Sequence, residues 1–161
     1  MTRERKGRAA GEFFARQVGA AYAHTMPTAL TTVSELVKEA VRHDGEGRPV
    51  LYARVEGEIN LHNSPALRSD LLKLVEEEKP RAMVLNLSNV PYMDSSAIAV
   101  LVEVLKALRA DQGEVHLTQL QQRVAGLLHI ARLDSIFILN DTDEQALAAA
   151  NGAKKLDATP E

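Results

Sequence analysis

The chain has no cysteine and no tryptophan among its 161 residues. Without cysteine there is no disulfide framework, no thiolate nucleophile and no Cys-ligated zinc. Aromatic residues make up only 4%, which leaves few platforms on which bases could stack. A basic excess is missing as well: the net charge is -3, whereas a general nucleic-acid binder normally carries a basic face. No direct nucleic-acid partner is expected. No apolar run approaches the roughly 20 residues that span a bilayer, so no membrane insertion is expected either. The N-terminus carries Arg3, Arg5, Lys6 and Arg8, like the charged start of an export signal. The stretch behind it holds Glu12, Arg16, Gln17 and His24 and offers no continuous apolar segment. The expected location is cytoplasmic.

What is present is ordinary globular composition, 45% apolar and 25% charged, at a length that suits one domain with some excess. Residues 1–30, rich in Ala, Gly and Arg with only Phe13, Phe14, Val18 and Tyr22 to bury, read as an extension, poorly ordered or a short helix. A domain is expected over 31–151 and a polar tail over 152–161. Within the domain, Val50, Tyr52 and Val55 alternate with polar residues as in a strand with one buried face. Ser64 and Pro65 start a helix, Ser64 as its cap and Pro65 at the first helical position, and Leu67, Leu71, Leu74 and Val75 follow at helical spacing. Ala82 to Leu87 is a short apolar strand. Asp94-Ser95-Ser96 opens a second helix with the stripe Ile98, Leu101, Val102, Leu105 and Leu108, which Gly113 stops. Val115 and Leu117 mark another strand, and Val124, Leu127, Leu128 and Ala131 a third helix. Ser135 to Leu139 reads as the last strand, before a helix opened by Asp141-Thr142-Asp143-Glu144 and running to about Ala150. Strands alternating with helices imply an α/β domain: a mixed, mostly parallel sheet of four to five strands with about four helices.

The chemistry concentrates in Val90-Pro91-Tyr92-Met93-Asp94-Ser95-Ser96-Ala97-Ile98. A carboxylate and two hydroxyls stand where a strand's exit loop meets a helix N-terminus, a place of free N–H groups and partial positive charge. Taken alone, this is a helix cap. The five histidines (His24, His43, His62, His116, His129) show no metal-ligand spacing, and Gly45-Glu46-Gly47 lacks the Lys and Ser/Thr of a phosphate loop. No cofactor and no metal are expected. A triad of Ser95, His62 and Asp94 can be drawn on paper, but no GxSxG elbow supports it. No enzymatic activity is expected.

Three stretches from about residue 50 to 150 resemble the STAS domain of bacterial anti-sigma factor antagonists. GEINLHNSPALR (Gly57–Arg68) is similar to the family's G-E-L/I-D followed by a capped helix. LNLSNV with YMDSSAIAVLV is similar to its Asp-Ser-Ser/Thr-Gly-Leu-Gly motif. A late strand, helix and short strand end in a helix containing DEQALAA. The resemblance implies a STAS-like single domain and a protein-binding switch. In that family an anti-sigma factor with GHKL-type serine kinase activity phosphorylates the serine after the Asp, here Ser95. The unphosphorylated protein binds that kinase and releases the sigma factor, and a PP2C-type phosphatase reverses the modification. Asp94, Ser96, Ala97, Met93, Asn60 and His62 are the implied partner-binding positions. Ala97 stands where the family usually has Gly, implying a less close partner approach, and Asn60 where it often has Asp. A related branch binds the ATPase of a lipid ABC transporter through the same loop without a phosphate cycle, and a scaffold role in a signalling assembly is a third reading. The resemblance also bears on 31–43: Val33, Leu36, Val37, Ala40 and Val41 fit a helix by periodicity, but the family places an edge strand there, turning at Asp44–Gly47.

Overall fold

Val50 to Ala53 and Ala82 to Leu87 are nearly unbroken apolar runs, and such strands are stable only where both faces are covered. The computed structural model describes residues 27–30 and 34–156. The element order is β1 (Thr28–Ala29), β2 (Val37–His43), β3 (Val50–Glu56), α1 (Ser64–Glu78), β4 (Ala82–Asn89), α2 (Ser95–Ala110), β5 (Glu114–Thr118), α3 (Gln122–Ile130), β6 (Ile138–Asn140) and α4 (Asp143–Leu156). The sheet runs β1-β2-β3-β4-β5-β6, which puts the two apolar strands at its centre. β1, β2 and β3 are antiparallel neighbours, and β3, β4, β5 and β6 are parallel.

One sheet face carries the main core. Leu67, Leu71 and Leu74 of α1 and Val104, Leu105 and Leu108 of α2 pack with Leu51, Leu85 and Leu117 from three adjacent strands. The other face carries a smaller cluster, in which Ala146, Leu147 and Ala150 of α4 cover Tyr52 and Val84. α2 ends where its sequence must: a Cβ on Gly113 would lie 2.9 Å from the Leu108 carbonyl oxygen, to which the Gly113 N–H donates at 2.7 Å.

A buried carboxylate fastens α4 to the sheet. Asp143 accepts from the Tyr52 hydroxyl (3.1 Å), the Asn86 amide (2.9 and 3.0 Å) and the Thr118 hydroxyl (2.6 Å), joining β3, β4 and β5 at one point. Burial and the nearby Asp143 charge push the Tyr52 hydroxyl well above the usual phenol range. The Asn86 carbonyl oxygen in turn accepts from the N–H and hydroxyl of Ser88, which steadies the end of β4.

The α/β class and the four helices, counted among the described residues, agree with the sequence reading. The sheet has six strands rather than four to five. The added strand, β1, is only two residues long and carries no legible period; it lies before residue 31, where the domain was expected to begin. Most of the expected N-terminal extension lies outside the described residues. The ambiguous segment is strand β2, its residues paired with β3 from Val37↔Val55 to His43↔Val50. Its helical spacing arose because Val37, Ala40, Val41 and His43 are buried on both faces of a strand. β3 is likewise buried on both faces rather than one. The last strand begins at Ile138 rather than Ser135, because Ile136 and Phe137 both donate to the Leu133 carbonyl and close a turn. α4 continues to Leu156, past the expected start of the tail at 152.

Two predictions follow from the buried polar groups. Asp143→Ala would strand the Tyr52, Asn86 and Thr118 donors, and urea denaturation is expected to show a loss of about 2–4 kcal/mol. The second concerns pH. Burial depresses the His43 imidazole from 6.5 to about 4, so the folded state binds fewer protons than the unfolded chain over that range. Stability from this group is complete above the unfolded value and lost as pH falls from 6.5 toward 4. Between pH 7 and pH 5 it should fall by about 2 kcal/mol, and His43→Leu should flatten that slope.

Candidate functional site

β3 and β4 end side by side, and their exit loops stay together. Gly57, at φ 104, takes a backbone conformation that side-chain-bearing residues rarely adopt, and its N–H donates to the Asn89 carbonyl at 2.9 Å. Ile59 then pairs with Met93 in an isolated parallel bridge: its N–H donates to the Tyr92 carbonyl (3.0 Å) and its carbonyl accepts from the Asp94 N–H (3.1 Å).

Asp94 completes the junction. It is the N-cap of α2, with extended backbone, and one carboxylate oxygen accepts from the N–H groups of Ser96 (2.9 Å) and Ala97 (3.4 Å). That oxygen also accepts from the Ser96 hydroxyl. The second oxygen accepts from the Leu61 N–H at 3.1 Å, in the opposite loop. The Ser96 hydroxyl, opposed by partial desolvation and aided by the N–H groups of Ala97, Ser96 and Leu61, holds the Asp94 carboxyl below its ordinary range. The group is therefore an anion at neutral pH, in a place where N–H donors favour one.

The β3–α1 loop is shaped by two asparagines. The Asn60 side chain accepts from the N–H groups of His62 (2.9 Å) and Asn63 (3.3 Å); that of Asn63 accepts from the Asn60 N–H (2.8 Å) and donates to the Glu58 carbonyl (2.8 Å). Side-chain bonds to nearby backbone of this kind fix turns. The helix start is also corrected: Asn63, not Ser64, occupies the N-cap of α1 and makes no side-chain capping bond, while Ser64 is the buried first helical residue and Pro65 the second. The asparagine is spent on the loop instead of the helix.

The seven expected site residues therefore divide. Ser95 is exposed, on the first turn of α2, and its hydroxyl has no hydrogen-bond partner among the described residues. Ser96 is half-buried with its hydroxyl committed to Asp94. Asn60 and Asp94 hold the two loops, and His62 stands exposed beside them. Met93 and Ala97 do not belong to the surface: they are 2% and 0% exposed and part of the main core. Met93 faces inward because its backbone bridges Ile59, and Ala97 because its Cβ lies on the apolar stripe of α2. The alanine where a glycine is usual thus adds a methyl group to the core and nothing to the surface. Leu61, at 71% exposure, and Tyr92, at 43%, are surface residues that the sequence reading passed over. The available signal was a leucine amid polar neighbours in Asn60–Asn63.

The Asp94 carboxylate bonds Leu61, Ser96 and Ala97 rather than His62, which leaves the paper triad unassembled. Among the described residues no three His, Asp or Glu side chains converge as a metal site requires, and no helix is long and apolar enough to cross a membrane.

Comparison with known proteins places this arrangement in context. Residues 29–146 match the STAS domain family. The anti-sigma-B factor antagonist of Staphylococcus aureus is 30% identical over 91 residues, which cover 56% of this chain and 83% of that protein. An anti-sigma factor antagonist from Mycobacterium paratuberculosis superposes with a TM-score of 0.61 at 24% identity, over 76% of this chain and 98% of that one. The unphosphorylated form of the anti-sigma factor antagonist SpoIIAA gives 0.59 at 19% identity, over 68% and 94%. The last two likenesses concern the fold.

The Asp94 geometry yields a test. In Asp94→Ala the urea midpoint is expected to fall, and amide exchange at Leu61, measured by NMR, should accelerate more than at Val84 in the sheet centre. Equal acceleration at both would mean that Asp94 only caps α2 and does not tie the loops.

Proposed function

This chain belongs to the STAS-domain family, and we propose that it acts as an anti-sigma factor antagonist switched by phosphorylation of Ser95. Unphosphorylated, it binds a cytoplasmic anti-sigma factor that is also a GHKL-type serine kinase, so that the sigma factor is released. The kinase transfers the γ-phosphoryl group of ATP to the Ser95 hydroxyl, and a PP2C-type phosphatase hydrolyses the ester and restores binding. The chain is a binding module and a phosphorylation substrate, not an enzyme.

The observation that carries the proposal is the contrast between two adjacent hydroxyls. Ser95 presents an exposed, uncommitted oxygen, while that of Ser96 is held by the Asp94 carboxylate. A kinase can reach the first without disturbing the fold.

The consequence of modification follows from charge. A phosphoryl group adds about -1.5 to -2 at neutral pH. The N-terminal donors of α2 are already shared with Asp94, so the new charge stands beside an existing anion. Within the domain the helix N-terminus tolerates it. Against a partner surface shaped for a hydroxyl it brings bulk, desolvation and repulsion. A loss of about 3–4 kcal/mol weakens binding a few hundredfold and needs no refolding.

The test is a pull-down from the native host with wild type, Ser95→Ala and Ser95→Asp, read by mass spectrometry. Recovery of a GHKL-type kinase by wild type and Ser95→Ala but not by Ser95→Asp is expected. Recovery of a transporter ATPase by all three variants, or of no kinase, would overturn the proposal.

A further inference from the structure

The two loops that meet at Asp94, next to the acceptor, carry two large apolar side chains that the fold leaves in water, Leu61 and Tyr92. Neither sits on a loose end. The Leu61 N–H is bonded to Asp94, immediately before Ser95, and the Tyr92 carbonyl receives the Ile59 N–H from the opposite loop. Asn60 and Asn63 close the loop around Leu61 from the other side. Both side chains are therefore presented by backbone that is ordered before any partner arrives. Preordered apolar groups at the centre of a contact surface are what protein interfaces use as anchors, because little conformational freedom remains to be lost on binding. The other strongly exposed apolar residues, Ile130 at the end of α3 and Ile138 and Leu139 on the edge strand β6, belong to other elements.

We infer that Leu61 and Tyr92 are the docking anchors by which the serine kinase of the proposed function engages this chain, each seated in an apolar socket beside the phosphoryl-transfer centre. The inference rests on that proposed function. The occupant follows from position: a kinase whose active site receives the Ser95 hydroxyl must cover the residues tied to Asp94 and Ile59. Glu58, in the loop of Leu61, is exposed, and the Asp94 carboxylate is bonded to the Leu61 N–H, so basic groups around the sockets would complement these charges. Recognition and switching are then separate. Affinity lies in the two anchors, and Ser95 carries the on–off signal.

The experiment is steady-state phosphorylation of the full chain at Ser95 by the kinase recovered with the wild type, comparing Leu61→Ser, Tyr92→Ser, Leu61→Met and Ile130→Ser. Leu61→Ser should raise KM at least tenfold with kcat nearly unchanged, Tyr92→Ser should raise it several-fold, and Leu61→Met should restore most of the loss. Ile130→Ser should behave as wild type. All three positions are exposed, and an unchanged thermal midpoint would exclude misfolding as the cause. A Leu61→Ser chain phosphorylated with the wild-type KM would overturn the inference while leaving the proposed function standing. Absence of phosphate from Ser95 in the wild type would overturn both.

Discussion

The candidate site depends on one carboxylate that serves two loops at once. Asp94 caps α2 through the N–H groups of Ser96 and Ala97 and reaches across to the N–H of Leu61. Parallel strands deliver their exit loops to the same edge of a sheet, but nothing in strand pairing holds those loops together beyond the last ladder bond. Here the Ile59–Met93 bridge extends the contact, and the Asp94 side chain finishes it. The position of every surface residue in the site, Ser95 and Leu61 above all, follows from that junction.

A second carboxylate near a helix start, Asp143, works under opposite conditions. Asp94 is partly open to solvent and organises backbone N–H groups, whereas Asp143 is buried and organises side-chain donors from three strands. The difference suits their places. The α4 face of the sheet has only a small apolar cluster to hold its helix, and a satisfied buried carboxylate adds direction to that contact. The other face, where α1, α2 and α3 all contribute to the larger core, needs no such anchor. Asn86 links the regions: one side of its amide donates to Asp143, and the other steadies Ser88 four residues before the loop reaches Tyr92.

Under the proposed function, this arrangement suits a switch that acts without a change of fold. The core behind the site is closed by Met93 and Ala97, both buried, and the helix end is already capped. Charge added at Ser95 meets a completed hydrogen-bond network, so its effect is felt chiefly by whatever approaches from outside. Rigid presentation also favours recognition, since an ordered pair of loops has little left to lose on binding.

Legible in the residues alone were the alternation of strands and helices, the apolar strand at 82–87, and the Asp94-Ser95-Ser96 motif at a helix start. Each of these is written in short-range pattern: period, apolar runs, and an Asp before a helix. Its ambiguities had local causes too. Val37, Ala40 and Val41 fit a helical period because β2 is buried on both faces, and two residues of β1 carry no period at all. The properties that no local pattern held are those shared between distant elements. Burial of Met93 depends on its bridge to Ile59, and burial of Ala97 on the rotation of α2 against the core. The loss of Asn63 to its own loop, the tie from Asp94 to Leu61 across 33 positions, and the meeting of Tyr52, Asn86 and Thr118 at Asp143 likewise have no local signature. Sequence pattern records which side of an element is apolar, but not which polar atoms of separate elements come within reach of one another; that follows from how the helices and strands are packed.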